Sequence, residues 1–208
     1  MLVMMTGCLP KGDDYLIVPG VRVSNIKADT SEADLVRMFG RQMVIPAEIP
    51  MGEGDMEPGT LIFDPDSLSS MGIIWKDKIN LKNPREIRWM GTKCKWKTAE
   101  GVTLGITLKE LETANGKPFK LMGLEWDYAG TFMSSEGGKL AYLDRDRDGS
   151  VNAQPGEIII RMQPATDAEA NANVTDYLSV SGDRIVTSDS EVMQKLNPSV
   201  YEMIFFFP

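Results

Sequence analysis

The chain has 208 residues, 42% hydrophobic and 25% charged, a length and balance that suit one globular domain or two small ones sharing an interface. It contains no His and only two Cys, which excludes His-based triads, His zinc sites and Cys-only zinc sites. Its formal net charge of -8 has the wrong sign for a general nucleic-acid binder.

The first segment is Met1, Leu2, Val3, Met4, Met5, Thr6, Gly7, Cys8. Met5-Thr6-Gly7-Cys8 resembles the lipobox that ends a bacterial lipoprotein signal, where small residues precede the Cys that becomes the lipidated N-terminus. The resemblance implies lipid on Cys8 and a polar tether to about residue 20, through Lys11-Gly12-Asp13-Asp14 and Pro19-Gly20. No basic n-region precedes it, and Leu2 to Met5 is too short for an apolar h-region. Two explanations stay open: the coding start lies upstream of Met1, or the segment is a ragged apolar terminus. No run approaches the roughly 18 continuous apolar residues of a membrane-spanning helix, so a membrane is expected only through a lipid anchor.

Residues 29–40 predict the first helix. Thr30 or Ser31 caps it with Asp34 as reciprocal partner, Leu35, Met38 and Phe39 form its apolar stripe, and Gly40 ends it. Strands are expected at 59–63 and 71–75, either side of the turn residues Asp64-Pro65-Asp66-Ser67. A hairpin at 86–89 and 93–98 turns at Gly91-Thr92. The second helix spans 107–116, with a Thr107/Glu110 capping box, a stripe of Leu108, Leu111 and Ala114, and Gly116 and Pro118 as stop signals. Strands are then expected at 123–128, 138–143, 157–162 and 201–207, with shorter ones at 177–180 and 184–187 in an otherwise polar stretch from 165 to 198.

The order helix–strand–strand thus occurs twice. The expected class is α+β: two helix–strand–strand repeats, helices packed on a mainly antiparallel sheet, with Leu35, Phe39, Leu108 and Leu111 buried. Residues 1–20 form the signal and tether, 21–98 the first repeat plus hairpin, and 99–208 the second repeat with an Asp-rich loop and a strand-rich tail.

The run Gly105-Ile106-Thr107-Leu108-Lys109-Glu110-Leu111, followed by Asn115-Gly116-Lys117-Pro118, resembles the helix start of SmpA-type outer-membrane-assembly lipoproteins. In architecture it is similar to the tandem β-lactamase-inhibitor proteins. The string continuing to Trp126-Asp127-Tyr128 also looks like a family of bacterial secreted proteins and lipoproteins. These resemblances imply a binding or scaffold role rather than catalysis.

The sharpest local motif is Asp144-Arg145-Asp146-Arg147-Asp148-Gly149-Ser150. Carboxylates at positions one, three and five followed by Gly open an EF-hand-type calcium loop, with Ser150 offering its backbone carbonyl and Asn152 a further oxygen. Pro155 stands where the bidentate Glu belongs, and Glu157 two residues later is the candidate replacement. The expected cofactor is weakly bound structural calcium; the bland alternative is a solvated charged turn. A second feature is eight basic residues against Asp77 and Glu86 between Trp75 and Lys97, a local excess of +6. Lys93, Lys95 and Lys97 share one face if the segment is a strand, and with Arg88 they form a candidate anion-facing surface, although a lysine-rich solvent face guarding an exposed hairpin is the favoured reading. Cys94 reads as a small hydrophobe.

The function expected from these readings is a non-enzymatic cell-envelope lipoprotein, periplasmic or surface-exposed, that binds an envelope protein or another extracytoplasmic ligand. The alternative is a carboxylate-based secreted hydrolase of an unrecognised class, for which no catalytic residue is assigned. Glu125 and Asp127 share a face opposite Trp126 as paired acids would, but two carboxylates one pleat apart on one strand read rather as a solvated edge.

Overall fold

A computed structural model describes residues 15–63, 69–145, 154–165 and 173–208. The short antiparallel pair β1 (Ile17–Val18) and β2 (Arg22–Val23) leads into α1 (Glu32–Phe39). Ser31 caps α1: its hydroxyl accepts from the Asp34 N–H at 3.3 Å, and the Asp34 carboxylate accepts from the Ser31 N–H at 2.8 Å. The same reciprocal arrangement between Thr107 and Glu110 opens α2 (Leu108–Asn115), which ends on a left-handed Gly116. Leu35, Leu108 and Leu111 are fully buried in one cluster, whereas Phe39 is only partly covered. Leu111→Ala should cost about 2–4 kcal/mol in a urea titration; a loss below about 0.5 kcal/mol would contradict its burial.

Between these helices run β3 (Val44–Gly52), β4 (Asp55–Ile62), β5 (Ser69–Asp77) and β6 (Lys82–Gly91), each antiparallel to the next. After α2 come β7 (Lys120–Met122), β8 (Phe132–Ser134), β9 (Ile158–Gln163), α3 (Val174–Ser179), β10 (Ile185–Thr187), α4 (Glu191–Leu196) and β11 (Ser199–Phe206). The C-terminal strand inserts between β6 and β9, giving a six-stranded sheet of order β3-β4-β5-β6-β11-β9 beside a three-stranded sheet of order β10-β7-β8. The two meet where Thr131 bridges Arg161 and the Met162 N–H donates to the Gly130 carbonyl at 3.0 Å.

This architecture overturns the expected tandem α+β class. Strand accounts for 41% and helix for 20% of the described residues, the four α-helices are short, and no helix-on-sheet unit is repeated among them. Local alternation misled in four places. Residues 123–130 curl instead of extending, with the Trp126 indole N–H donating to the Gly123 carbonyl at 3.0 Å. Residues 138–143 are drawn onto buried Asn115, whose side-chain oxygen accepts from the Leu140 N–H at 3.1 Å, and then wind into a 3₁₀ turn at Ala141–Leu143. Residues 93–98 do not pair with β6, because β11 occupies that edge; Lys97 instead bonds to Tyr15. Residues 177–180 overlap α3, capped by Asn173.

The six-stranded sheet buries both faces. Met71, Ile73 and Trp75 on β5, Ile87 and Trp89 on β6, and Met203 and Phe205 on β11 face the main core, which also takes in the buried leucines of α1 and α2. The opposite face carries Gly72, Ile74, Glu86, Arg88, Glu202 and Ile204. The β3–β4 hairpin folds back over it. Ile49 seats against Gly72, where an added Cβ would lie 2.8 Å from the Ile49 side chain. Glu57 on β4 clamps this arrangement by salt bridges of 2.7 Å to both Arg85 and Lys78. Burial alone would raise the Glu57 carboxyl, but the hydrogen bonds from Arg85 and Lys78 outweigh it and hold it below the ordinary value of 4.5. A depressed carboxyl stabilises the fold above its unfolded value and loses that contribution as pH falls through the folded one. Stability should therefore drop below about pH 4.5, and Glu57→Gln should soften that acid limb in urea midpoints taken from pH 7 downward.

Candidate functional site

On the face beneath the hairpin, four charged side chains stand in the middle of apolar strand runs. Arg88 Nε lies 2.8 Å from Glu86, Arg88 Nη1 lies 3.3 Å from Glu202, and Arg161 Nη1 on β9 lies 2.8 Å from the other Glu202 oxygen. Glu86, Arg88 and Glu202 are buried, and Arg88 Nη1 also donates to the Pro50 and Met51 carbonyls of the folded-back hairpin. Two positive and two negative charges compensate one another across three adjacent strands, which is the condition under which buried ions are tolerated.

Arg161 carries this network to a cavity of about 490 Å³ at the junction of the two sheets. Strand alternation supplies the apolar lining. Leu121, Phe132, Ile158 and Ile160 point into the main core, so Met122, Met133 and Ile159 face the cavity. Trp126 and Tyr128, from the curled segment, form an aromatic wall with ring centroids 5.4 Å apart in an edge-on arrangement. The Tyr128 ring lies 5.6 Å from the Arg161 guanidinium, and its hydroxyl donates to Glu53 of the hairpin at 2.8 Å. That hydrogen bond holds the phenol above its usual pKa, so it stays protonated. Arg145 and Arg184 complete the cationic lining, and Asp183 is its carboxylate. Arg161 is already paired with Glu202, so among the described lining residues Arg145 and Arg184 against Asp183 leave the recess with a positive excess in an acidic chain.

The residues singled out in the sequence lie elsewhere or at its margin. Asp144 turns its carboxylate onto Ser135, accepting from its N–H at 2.5 Å and its hydroxyl at 3.0 Å. Glu157 accepts from the Gln154 N–H at 2.7 Å. Asp146, Asp148, Ser150 and Asn152 lie outside the described residues, as does Cys8. Among the described residues no group of three or more metal-ligating side chains converges. Lys93, Lys95 and Lys97 are exposed and alternate with half-buried Cys94 and buried Trp96, although no strand runs there. Lys95 lies 5.7 Å from the Tyr15 ring. Arg88 does not join them, being buried in the ionic network. Glu125 and Asp127 sit in the curled segment rather than on a strand face, with Glu125 accepting from the Tyr177 hydroxyl at 3.0 Å. Cys94 Sγ is 3.3 Å from the Trp96 carbonyl.

The sequence reading missed the cavity. A signal was present in Ile158-Ile159-Ile160-Arg161-Met162 and Ile87-Arg88-Trp89, where a cation interrupts an otherwise apolar run. What the runs do not reveal is which strands become neighbours. Among the described residues no helix is long and apolar enough to cross a membrane. No family model, curated protein or solved structure matches this chain.

Proposed function

We propose that this is a non-enzymatic binding protein of the bacterial cell envelope, secreted or tethered through Cys8, which takes a small extracytoplasmic ligand in the cavity between its sheets. The observation that carries this reading is the cavity itself. Its volume of about 490 Å³ falls in the range of small-molecule sites, roughly 300–1,000 Å³. Its lining combines an apolar floor and aromatic wall with a few convergent polar groups. The Thr131 hydroxyl there donates to the Tyr128 carbonyl at 2.8 Å, so the groups on offer suit holding a ligand rather than attacking one. The envelope assignment rests on the resemblance of Met5-Thr6-Gly7-Cys8 to a lipobox.

A fluorescence titration with neutral N-phenyl-1-naphthylamine tests the cavity. Saturable one-to-one binding, lost on filling the recess with Met133→Trp, is the expected outcome; binding indifferent to that substitution, or no binding of either this probe or its sulfonated analogue 1-anilinonaphthalene-8-sulfonate, contradicts it. The same proposal keeps weak calcium at the loop beginning with Asp144. A dissociation constant near 10⁻⁴ to 10⁻³ M adds about 0.4–1.4 kcal/mol at roughly 1 mM calcium. Melting temperatures with calcium and with chelator should then differ by about 1–5 °C, and Asp146→Ala should erase the difference. Identical wild-type melts would remove calcium from the account.

A further inference from the structure

The polar atoms of the cavity wall narrow the ligand class, provided that the cavity is the binding site. We propose that it takes an organic anion with a flat aromatic body, its anionic group held by Arg161 and Arg184. The neutral polar groups of the lining are already engaged: the Trp126 N–H on the Gly123 carbonyl, the Tyr128 hydroxyl on Glu53, and the Thr131 hydroxyl on the Tyr128 carbonyl. Trp126 and Tyr128 therefore offer ring surface to a ligand, not hydrogen bonds. Beside the single Asp183 carboxylate, Arg161 and Arg184 are the charged groups of the lining that can receive a ligand's polar group, and guanidiniums select negative charge.

Arg161 is built for this role. Its Nη1 is anchored at 2.8 Å on Glu202, which Arg88 holds in turn, so the guanidinium is fixed before a ligand arrives. Its Nε is buried and makes no hydrogen bond to any described residue. Such an atom in a native fold calls for an explanation, and an acceptor supplied by a bound anion is a sufficient one. Arg184 is exposed at the rim, with Nη1 3.3 Å from the Ser179 carbonyl, where it can meet the same group from the solvent side. A bare inorganic anion would leave Met122, Met133 and the aromatic wall unfilled. An aromatic body covers them, and thioethers make favourable contacts with its ring edge.

The test compares two fluorescent probes on the intact protein: 1-anilinonaphthalene-8-sulfonate and N-phenyl-1-naphthylamine, which lacks the sulfonate. The sulfonated probe should bind at least about tenfold more tightly, the scale of one charge-assisted hydrogen bond. Arg184→Gln, at an exposed position that leaves folding intact, should weaken the sulfonated probe by about three- to tenfold and leave the neutral one unchanged. Arg161→Gln, checked by its melting curve, should do the same more strongly. Equal affinities of the wild type for the two probes, or a sulfonate preference that survives both substitutions, would overturn the inference while leaving the cavity as the binding site. Failure of both probes to bind overturns the binding-site reading and this inference with it.

Discussion

Replacing Arg88 by Met should lower the free energy of unfolding by about 3–5 kcal/mol, the usual result of removing one member of a buried ion network. The guanidinium bonds Glu86 at 2.8 Å and Glu202 at 3.3 Å, and both carboxylates are buried. Met fills a similar volume, so the loss comes from stranded charge rather than from a void. Glu86 suffers most, because its other cation, Arg85, stands 3.6 Å away and is shared with Glu57. Glu202 keeps Arg161. Removing the carboxylate together with its partner, as in Glu86→Leu with Arg88→Met, should restore much of the loss, since a buried pair exchanged for apolar side chains is often close to neutral. Chemical denaturation of the single and double variants measures this directly. A single-variant loss under about 1 kcal/mol would mean that the face beneath the hairpin is wet.

The second large effect is expected at Gly130, which joins the small sheet to the large one. Its φ is +64°, and an added Cβ would overlap the Met162 carbonyl oxygen far inside van der Waals contact. The same residue accepts the Met162 N–H at 3.0 Å. Gly130→Ala should cost about 2–5 kcal/mol, from left-handed backbone strain plus forced separation of the strands. The damage should not be confined to stability. Thr131, next in the chain, lines the cavity, and Trp126 and Tyr128 hang from the same curl. Probe binding should therefore weaken even at temperatures where the variant is fully folded. A loss under about 1 kcal/mol with unchanged probe affinity would show that the two sheets are not joined there.

The helix termini were the most legible part of this chain. Ser31 with Asp34 and Thr107 with Glu110 satisfy each other within four residues, so their sequence spacing suffices to locate them. Strands β5, β9 and β11 were likewise readable from runs such as Met71-Gly72-Ile73-Ile74-Trp75. The topology was not. β11 pairs with β6 through Met203↔Trp89 and Phe205↔Ile87, contacts more than a hundred positions apart that no local period encodes. Helix–strand–strand order therefore looked like a repeat, whereas the first half builds most of a six-stranded sheet completed by β9 and β11, and the second half a separate three-stranded one. The site was hidden for the same reason. Arg161, Trp126 and Arg184 come together only after β9, the 123–130 curl and β10 have been assembled, and Arg161 inside an isoleucine run was their single local sign. The Lys93, Lys95 and Lys97 alternation was legible as exposure, yet its strand was not formed, since backbone pairing at that edge had gone to β11.

A crystal structure of the protein soaked with 1-anilinonaphthalene-8-sulfonate tests the central claim most directly. The account predicts the ring system over Met122, Met133 and Ile159, against Trp126 and Tyr128. It predicts a sulfonate oxygen within about 2.7–3.2 Å of Arg161 Nε, with Arg184 turned onto the same group. A cavity left empty while the probe sits on another surface, or a probe lodged there with its sulfonate turned away from both guanidiniums, would contradict it.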